Sequence, residues 1–145
     1  MGSIMYPPTF WPDPSVDMFN RALAAGRNHQ FLNMLIRRPF RLLELDSYQS
    51  AMKNGCYAGV QEVALDDIRG TEGRQNDFDD RFNPLTARNR QRWESIAKAY
   101  EAGMSLPPIE LIRVGKVYFV RDGHHRVSVA RAFGQTTIRA NITVW

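Results

Sequence analysis

Residues 106–145 constrain the fold more than any other stretch, because their character switches from strand-like to helical and back within a short span. Pro108 to Val114 reads as a strand, Gly115-Lys116 as a two-residue turn and Val117 to Arg121 as a second strand, which together predict a β-hairpin. Asp122-Gly123 then turns the chain into a short helix, His124 to Phe133, stopped by Gly134, and Thr137 to Val144 forms a last strand. Upstream, Gly59 to Ile68 places Val60, Val63 and Leu65 among polar residues and predicts a strand. The glycine- and aspartate-rich stretch Arg69 to Asn83 is a long loop, of a length that suits function. A helix starting at Pro84 carries Trp93, Ile96, Ala97 and Tyr100 on one face and ends at Gly103. Strand, loop, helix, hairpin, helix, strand is an α+β unit spanning residues 56–145.

Residues 1–55 read differently. Pro7, Pro8, Pro12 and Pro14 suggest an extended arm carrying Phe10 and Trp11, with Asp13-Pro14 as a helix start. Val16, Phe19 and Leu23, then Phe31, Leu32, Leu35 and Ile36, give an apolar helical face interrupted at Gly26 and stopped by Pro39. A second helix within Arg41 to Asn54 would turn Leu42, Leu45, Tyr48 and Met52 inward. Two helices with one apolar stripe each cannot build a useful core alone, so residues 1–55 are expected to pack on the 56–145 unit.

Composition narrows the partners. At 145 residues the chain is about one domain long, and 43% apolar residues argue against disorder. No apolar stretch approaches the roughly 18 to 20 residues of a membrane span, and the N-terminus lacks the pattern of a secretory signal. The single cysteine, Cys56, excludes an internal disulfide or a multi-cysteine metal site and suits a cytoplasmic setting. Of the 19 basic residues only Lys53, Lys98 and Lys116 are lysines, which leaves 16 arginines and a net charge of +4. The planar guanidinium fork suits phosphate or carboxylate, so a polyanionic partner fits as well as a merely solvated basic surface.

Chemistry concentrates where the hairpin meets the helix, at Asp122-Gly123-His124-His125-Arg126. Unpaired amides and the positive end of the helix dipole meet there and attract anions. Gly123 permits close approach, and His124, His125 and Arg126 add donors where a cation is unfavourable without a compensating anion. Phosphate binding is the reading this favours over a packed turn. Metal ligation is weaker, since adjacent helical residues point about 100° apart, although Mg²⁺ held by phosphates and a carboxylate remains compatible. Arg74 and Arg81 flank the acidic loop, either reaching a phosphate or pairing with Asp77 or Asp80; Asp77, Asp79 and Asp80 are the one carboxylate cluster a nuclease would need. Asp122 is read first as a helix cap, and His29 as an exposed, inert residue.

The strand at 60–68 together with Leu106 to Trp145 resembles the ParB/sulfiredoxin superfamily, which groups ParB N-terminal domains, sulfiredoxin and free-serine kinases. The resemblance implies a small mixed sheet with flanking helices, here preceded by an N-terminal helical extension. The ParB box, Gly-Glu-Arg-Arg, holds the triphosphate of CTP; Gly123 and Arg126 match it, while His124 replaces the acidic residue. The sulfiredoxin box, Gly-Gly-Cys-His-Arg, is matched at Gly123, His125 and Arg126, with His124 in place of the catalytic cysteine. The serine-kinase box, Asp-Gly-His-Thr-Arg, is closest, departing only at His125, and implies Glu72 in the loop as a further catalytic residue. The leading expectation is thus a cytoplasmic nucleotide-binding domain for CTP or ATP/ADP with Mg²⁺. Gly123, His124, His125, Arg126 and Arg74 would hold phosphates, with a switch or hydrolytic role. A small-molecule kinase or ATPase using Glu72, Asp122 and His124 is the alternative. A third is a DNA-associated adaptor or nuclease, contacting DNA without a sequence-specific reader; a homodimer is compatible with each.

Overall fold

The computed structural model describes residues 14–51 and 55–145; the arm carrying Phe10 and Trp11, and Met52, lie outside the described residues. Its elements are α1 (Pro14–Leu35), β1 (Leu43–Glu44), β2 (Cys56–Ala64), β3 (Ile68–Thr71), α2 (Arg90–Glu101), β4 (Ile109–Val114), β5 (Val117–Asp122), α3 (His124–Ala132) and β6 (Thr137–Val144). A 3-10 helix, Leu45–Ala51, follows β1, and a short one, Leu65–Asp67, separates β2 from β3. The six strands form one mixed sheet in the order β1-β3-β5-β4-β6-β2. β3 runs parallel to β5 and β4 parallel to β6, while the β4–β5 and β2–β6 pairs are antiparallel. The fold is α+β, a mixed sheet with flanking helices and a long N-terminal helix.

Strand alternation decides what each face carries. Leu111 pairs with Val120 and Ile112 with Phe119, so the first pair faces α3 and the second faces away. On the α3 side, Val127 and Ala130 pack with Ile109, Leu111, Val120, Ala140 and Ile142, all buried. Leu45 covers Ile112 and Phe119 on the other side, where Tyr48 meets Phe119 edge-on at 5.3 Å. α3 is covered in turn by α2 and α1: Phe19, Leu23, Trp93, Ala97 and Val129 form a second core. There the Phe19 and Trp93 rings meet edge-to-face at 5.5 Å, and the Trp93 indole N–H donates to Ser128 Oγ at 2.8 Å.

Several expectations need correction. α1 is continuous through Gly26, whose missing Cβ makes room for the Pro84 carbonyl oxygen, 2.6 Å from where that atom would lie. Its C-terminal apolar residues, Phe31, Leu32 and Leu35, and Ile36 just beyond its end, are exposed rather than buried. The expected helix within residues 41–54 is instead β1 followed by a 3-10 helix. Leu42 and Leu45 explain why, since they enter cores on opposite faces of the sheet while a helix would place them on one side. The strand expected through Ile68 ends at Ala64, and Ile68 starts β3. The helix expected from Pro84 begins only at Arg90, because Pro84 bridges back to Phe78. Asp79 enforces that turn: its carboxylate accepts from the Arg81 amide at 2.9 Å, the Asn83 amide at 2.8 Å and Asn83 Nδ2 at 3.0 Å. Burial pushes its pKa up, against those hydrogen bonds.

Deleting residues 1–55 would uncover Trp93 and Val129 on one side and Phe119 on the other. The remaining chain is expected to lose its cooperative thermal transition; a cooperative melt at unchanged temperature would contradict this. In the full chain, Phe19→Ala should cost about 3–5 kcal/mol in urea unfolding.

Candidate functional site

The hairpin strand β5 passes into α3 through Gly123, whose φ of 106° lies in the left-handed region. A Cβ there would also overlap the Ile109 side chain, so glycine is required by the packing of the junction itself. The expectation gave a different reason, access for a phosphate. The Val127 amide is the first to bond back into α3, to the Gly123 carbonyl at 3.0 Å, so the amides of His124, His125 and Arg126 have no carbonyl of their own helix to reach.

A cavity of about 100 Å³ opens at this end of α3, lined by Arg74, Arg92, Ile96 and the run Asp122–Arg126. The structure therefore brings together Gly123, His124, His125, Arg126, Asp122 and Arg74, as the sequence suggests. It also adds Arg92 from α2. Asp122 does not cap the helix through its side chain; its carboxylate accepts from the Arg126 guanidinium at 3.1 Å. Arg126 also donates to the carbonyls of Pro107 at 2.6 Å and Pro108 at 3.1 Å, clamping the segment before β4. It is both a cavity wall and a brace.

Glu72 is not brought in. Thr71 and Glu72 are neighbours on the chain at the end of β3, and alternation sends them opposite ways. Thr71 Oγ1 shares a 2.6 Å hydrogen bond with His124 Nε2, whereas Glu72 accepts from Arg121 Nε at 2.9 Å, outside the cavity. Thr71, fully buried, is the contact that sequence reading missed. Its one signal was a β-branched hydroxyl residue beside the glutamate already singled out.

The two histidines are buried and uncharged. The His124 pKa is lowered to about 4 by burial and by the charges of Arg74 and His125, with Asp122 and Asp77 opposing. His125 is likewise lowered to about 4, by burial and by Arg92 and Arg74. Phe78 holds both rings, stacked on His124 at 6.1 Å and edge-on to His125 at 5.4 Å. Among the described residues, His125 Nε2 is buried without a hydrogen-bond partner.

Of the acidic loop residues, only Asp77 reaches this cavity, through its pair with Arg74. Asp77 pairs with Arg74 at 3.0 Å, Asp79 holds the loop's turn, and Asp80 accepts from His29 at 2.7 Å. His29 is thus a half-buried partner of Asp80 and Asn33 rather than an inert surface residue. Arg81 lies away from the cavity.

No family model matches the chain, and no curated protein does. Among solved structures it is similar to sulfiredoxin from Arabidopsis thaliana, with 20% sequence identity and a TM-score of 0.45, over 59% of this chain and 84% of that one.

Acid should unfold the protein through these histidines. Their folded pKa, about 4, lies below the unfolded value of 6.5, so between those values the unfolded state binds more protons. Stability is therefore complete above pH 6.5 and falls as pH drops toward 4, by roughly 3 kcal/mol per histidine. Urea unfolding across that window is expected to show His125→Phe with a slope reduced by about one proton. An unchanged slope would contradict the burial of a neutral His125.

Proposed function

We propose that the protein binds a nucleotide with a phosphate seated in the cavity at the α3 N-terminus. The observation that carries this reading is the imbalance of charge there. Arg74, Arg92 and Arg126 surround helix amides that have no intrahelical acceptor; Asp77 answers Arg74 and Asp122 answers Arg126, which leaves Arg92 without a carboxylate partner among the described residues. Burial, with the charges of Arg74 and Arg92 adding to it, holds the two imidazoles neutral there, and a bound anion would oppose both effects. At about 100 Å³ the cavity has room for a small anion.

A groove of about 690 Å³ adjoins it, sharing Arg92, Ile96, Asp122 and Arg126. Leu106, Pro107 and Pro108 supply apolar surface there, suited to a sugar and base. The resemblance to ParB domains and serine kinases favours CTP or ATP/ADP, with Asp122 available to a phosphate-bound Mg²⁺. Glu72 points elsewhere, so the proposal concerns binding rather than transfer to an acceptor.

Calorimetry with CTP, ATP, ADP and GTP in Mg²⁺ tests this. Arg92 suits the test better than Arg126: it has no carboxylate partner among the described residues, whereas Arg126 braces the fold. Saturable binding of at least one nucleotide is expected, weakened roughly tenfold to a hundredfold by Arg92→Ala. No binding by any of the four, or equal affinity in the variant, would overturn the reading.

A further inference from the structure

At the opposite end of α3 lies a groove of about 450 Å³ that shares no lining residue with the His124 cavity. Four arginines line it, Arg41, Arg69, Arg81 and Arg131, with Asp66 and Asp80. Both carboxylates are engaged: Asp66 with Arg131 at 3.3 Å, and Asp80 with His29 at 2.7 Å. Arg41, Arg69 and Arg81 have no carboxylate partner among the described residues and are exposed. Four arginines against two carboxylates leave the groove with an excess of positive charge that an anion would answer.

Their positions are built in rather than accidental. Arg69 sits on β3, the Arg81 amide is held by the Asp79 carboxylate at 2.9 Å, and the Arg41 backbone bridges to Asp79. One buried aspartate thereby fixes two of the three arginines from behind. The chain that leads to Arg41 is basic as well: from Met18 to Leu43 it has no acidic residue, and Arg27, Arg37 and Arg38 are exposed without a carboxylate partner among the described residues.

We propose that this groove binds phosphates carried in series, either a free oligophosphate or a phosphodiester chain. Arginine's fork matches phosphate oxygens, and the three groups reach one elongated ligand from separate elements lining the same groove. The proposal does not rest on the nucleotide reading of the His124 cavity.

Fluorescence anisotropy, or competition against it, measures binding of tripolyphosphate and of an oligothymidylate of about eight nucleotides. The measurement is made in an Arg74→Ala/Arg92→Ala background, which removes two cations of the other cavity. Binding of either probe there is expected, and adding Arg69→Ala/Arg81→Ala should weaken it at least tenfold. For the oligonucleotide the salt slope should also fall by about 1 to 2, since each phosphate contributes about −0.7. Arg69→Lys/Arg81→Lys, which keeps the charge, should retain most of the slope. Binding of tripolyphosphate alone identifies a free oligophosphate, and binding of the oligonucleotide alone a nucleic acid. Absence of binding by both probes, or affinity unchanged by the Arg69/Arg81 pair, overturns the proposal. Failure of the nucleotide reading would appear separately, as Arg74→Ala/Arg92→Ala leaving nucleotide affinity intact.

Discussion

The junction of β5 and α3 at Gly123 is the constraint on which the rest depends. A residue with a side chain would be strained at that φ and would collide with Ile109, so the hairpin and the helix meet at one geometry. That geometry lays α3 across the sheet, with Val127 and Ala130 against the strands and Val129 against α1 and α2. It also aims the open end of α3 at Arg74 and Arg92, which arrive from two other elements. Packing and site therefore share a cause. A shift of α3 large enough to relax Gly123 would move the histidines away from Thr71 and Phe78 as well.

The energetics of the site follow from what burial does to charge. Two imidazoles, each 6% exposed, face arginines, and the neutral form is the one the protein can hold without a counter-ion. The Thr71 hydroxyl gives His124 a partner in that form. His125 Nε2 has none among the described residues, a cost of about 1–3 kcal/mol for an unsatisfied buried group. A bound anion would reverse the balance by favouring the charged imidazoles and answering Arg92. Binding and protonation are then linked, each strengthening the other.

The box Asp122–Arg126 was legible because its residues are contiguous and lie at a change from strand to helix. Gly115-Lys116, the two strands beside it and Gly134 are local signals that the structure keeps. Arg92 and Thr71 were not legible, since their places depend on how α2 and β3 dock, and nothing in their neighbourhoods announces it. Glu72 shows the same limit in reverse: its position in the chain was suggestive, but one residue of strand alternation turned it to the other face. The apolar run at Phe31 to Ile36 has helical spacing and forms a helix, yet the face it defines is not the buried one. Leu42 and Leu45 misled similarly, as both are buried but in different cores. Periodicity reports that a side chain is apolar, and tertiary docking decides which surface it meets.

The central claim is that the α3 N-terminus holds its histidines neutral until an anion arrives. NMR titration of the His124 and His125 imidazoles, with and without saturating nucleotide, tests it most directly. Without ligand both are expected to titrate near pH 4, well below the ordinary 6.5. With a phosphate in the cavity both should move upward, His124 and His125 alike. Bound-state values equal to or below the free ones would contradict the account.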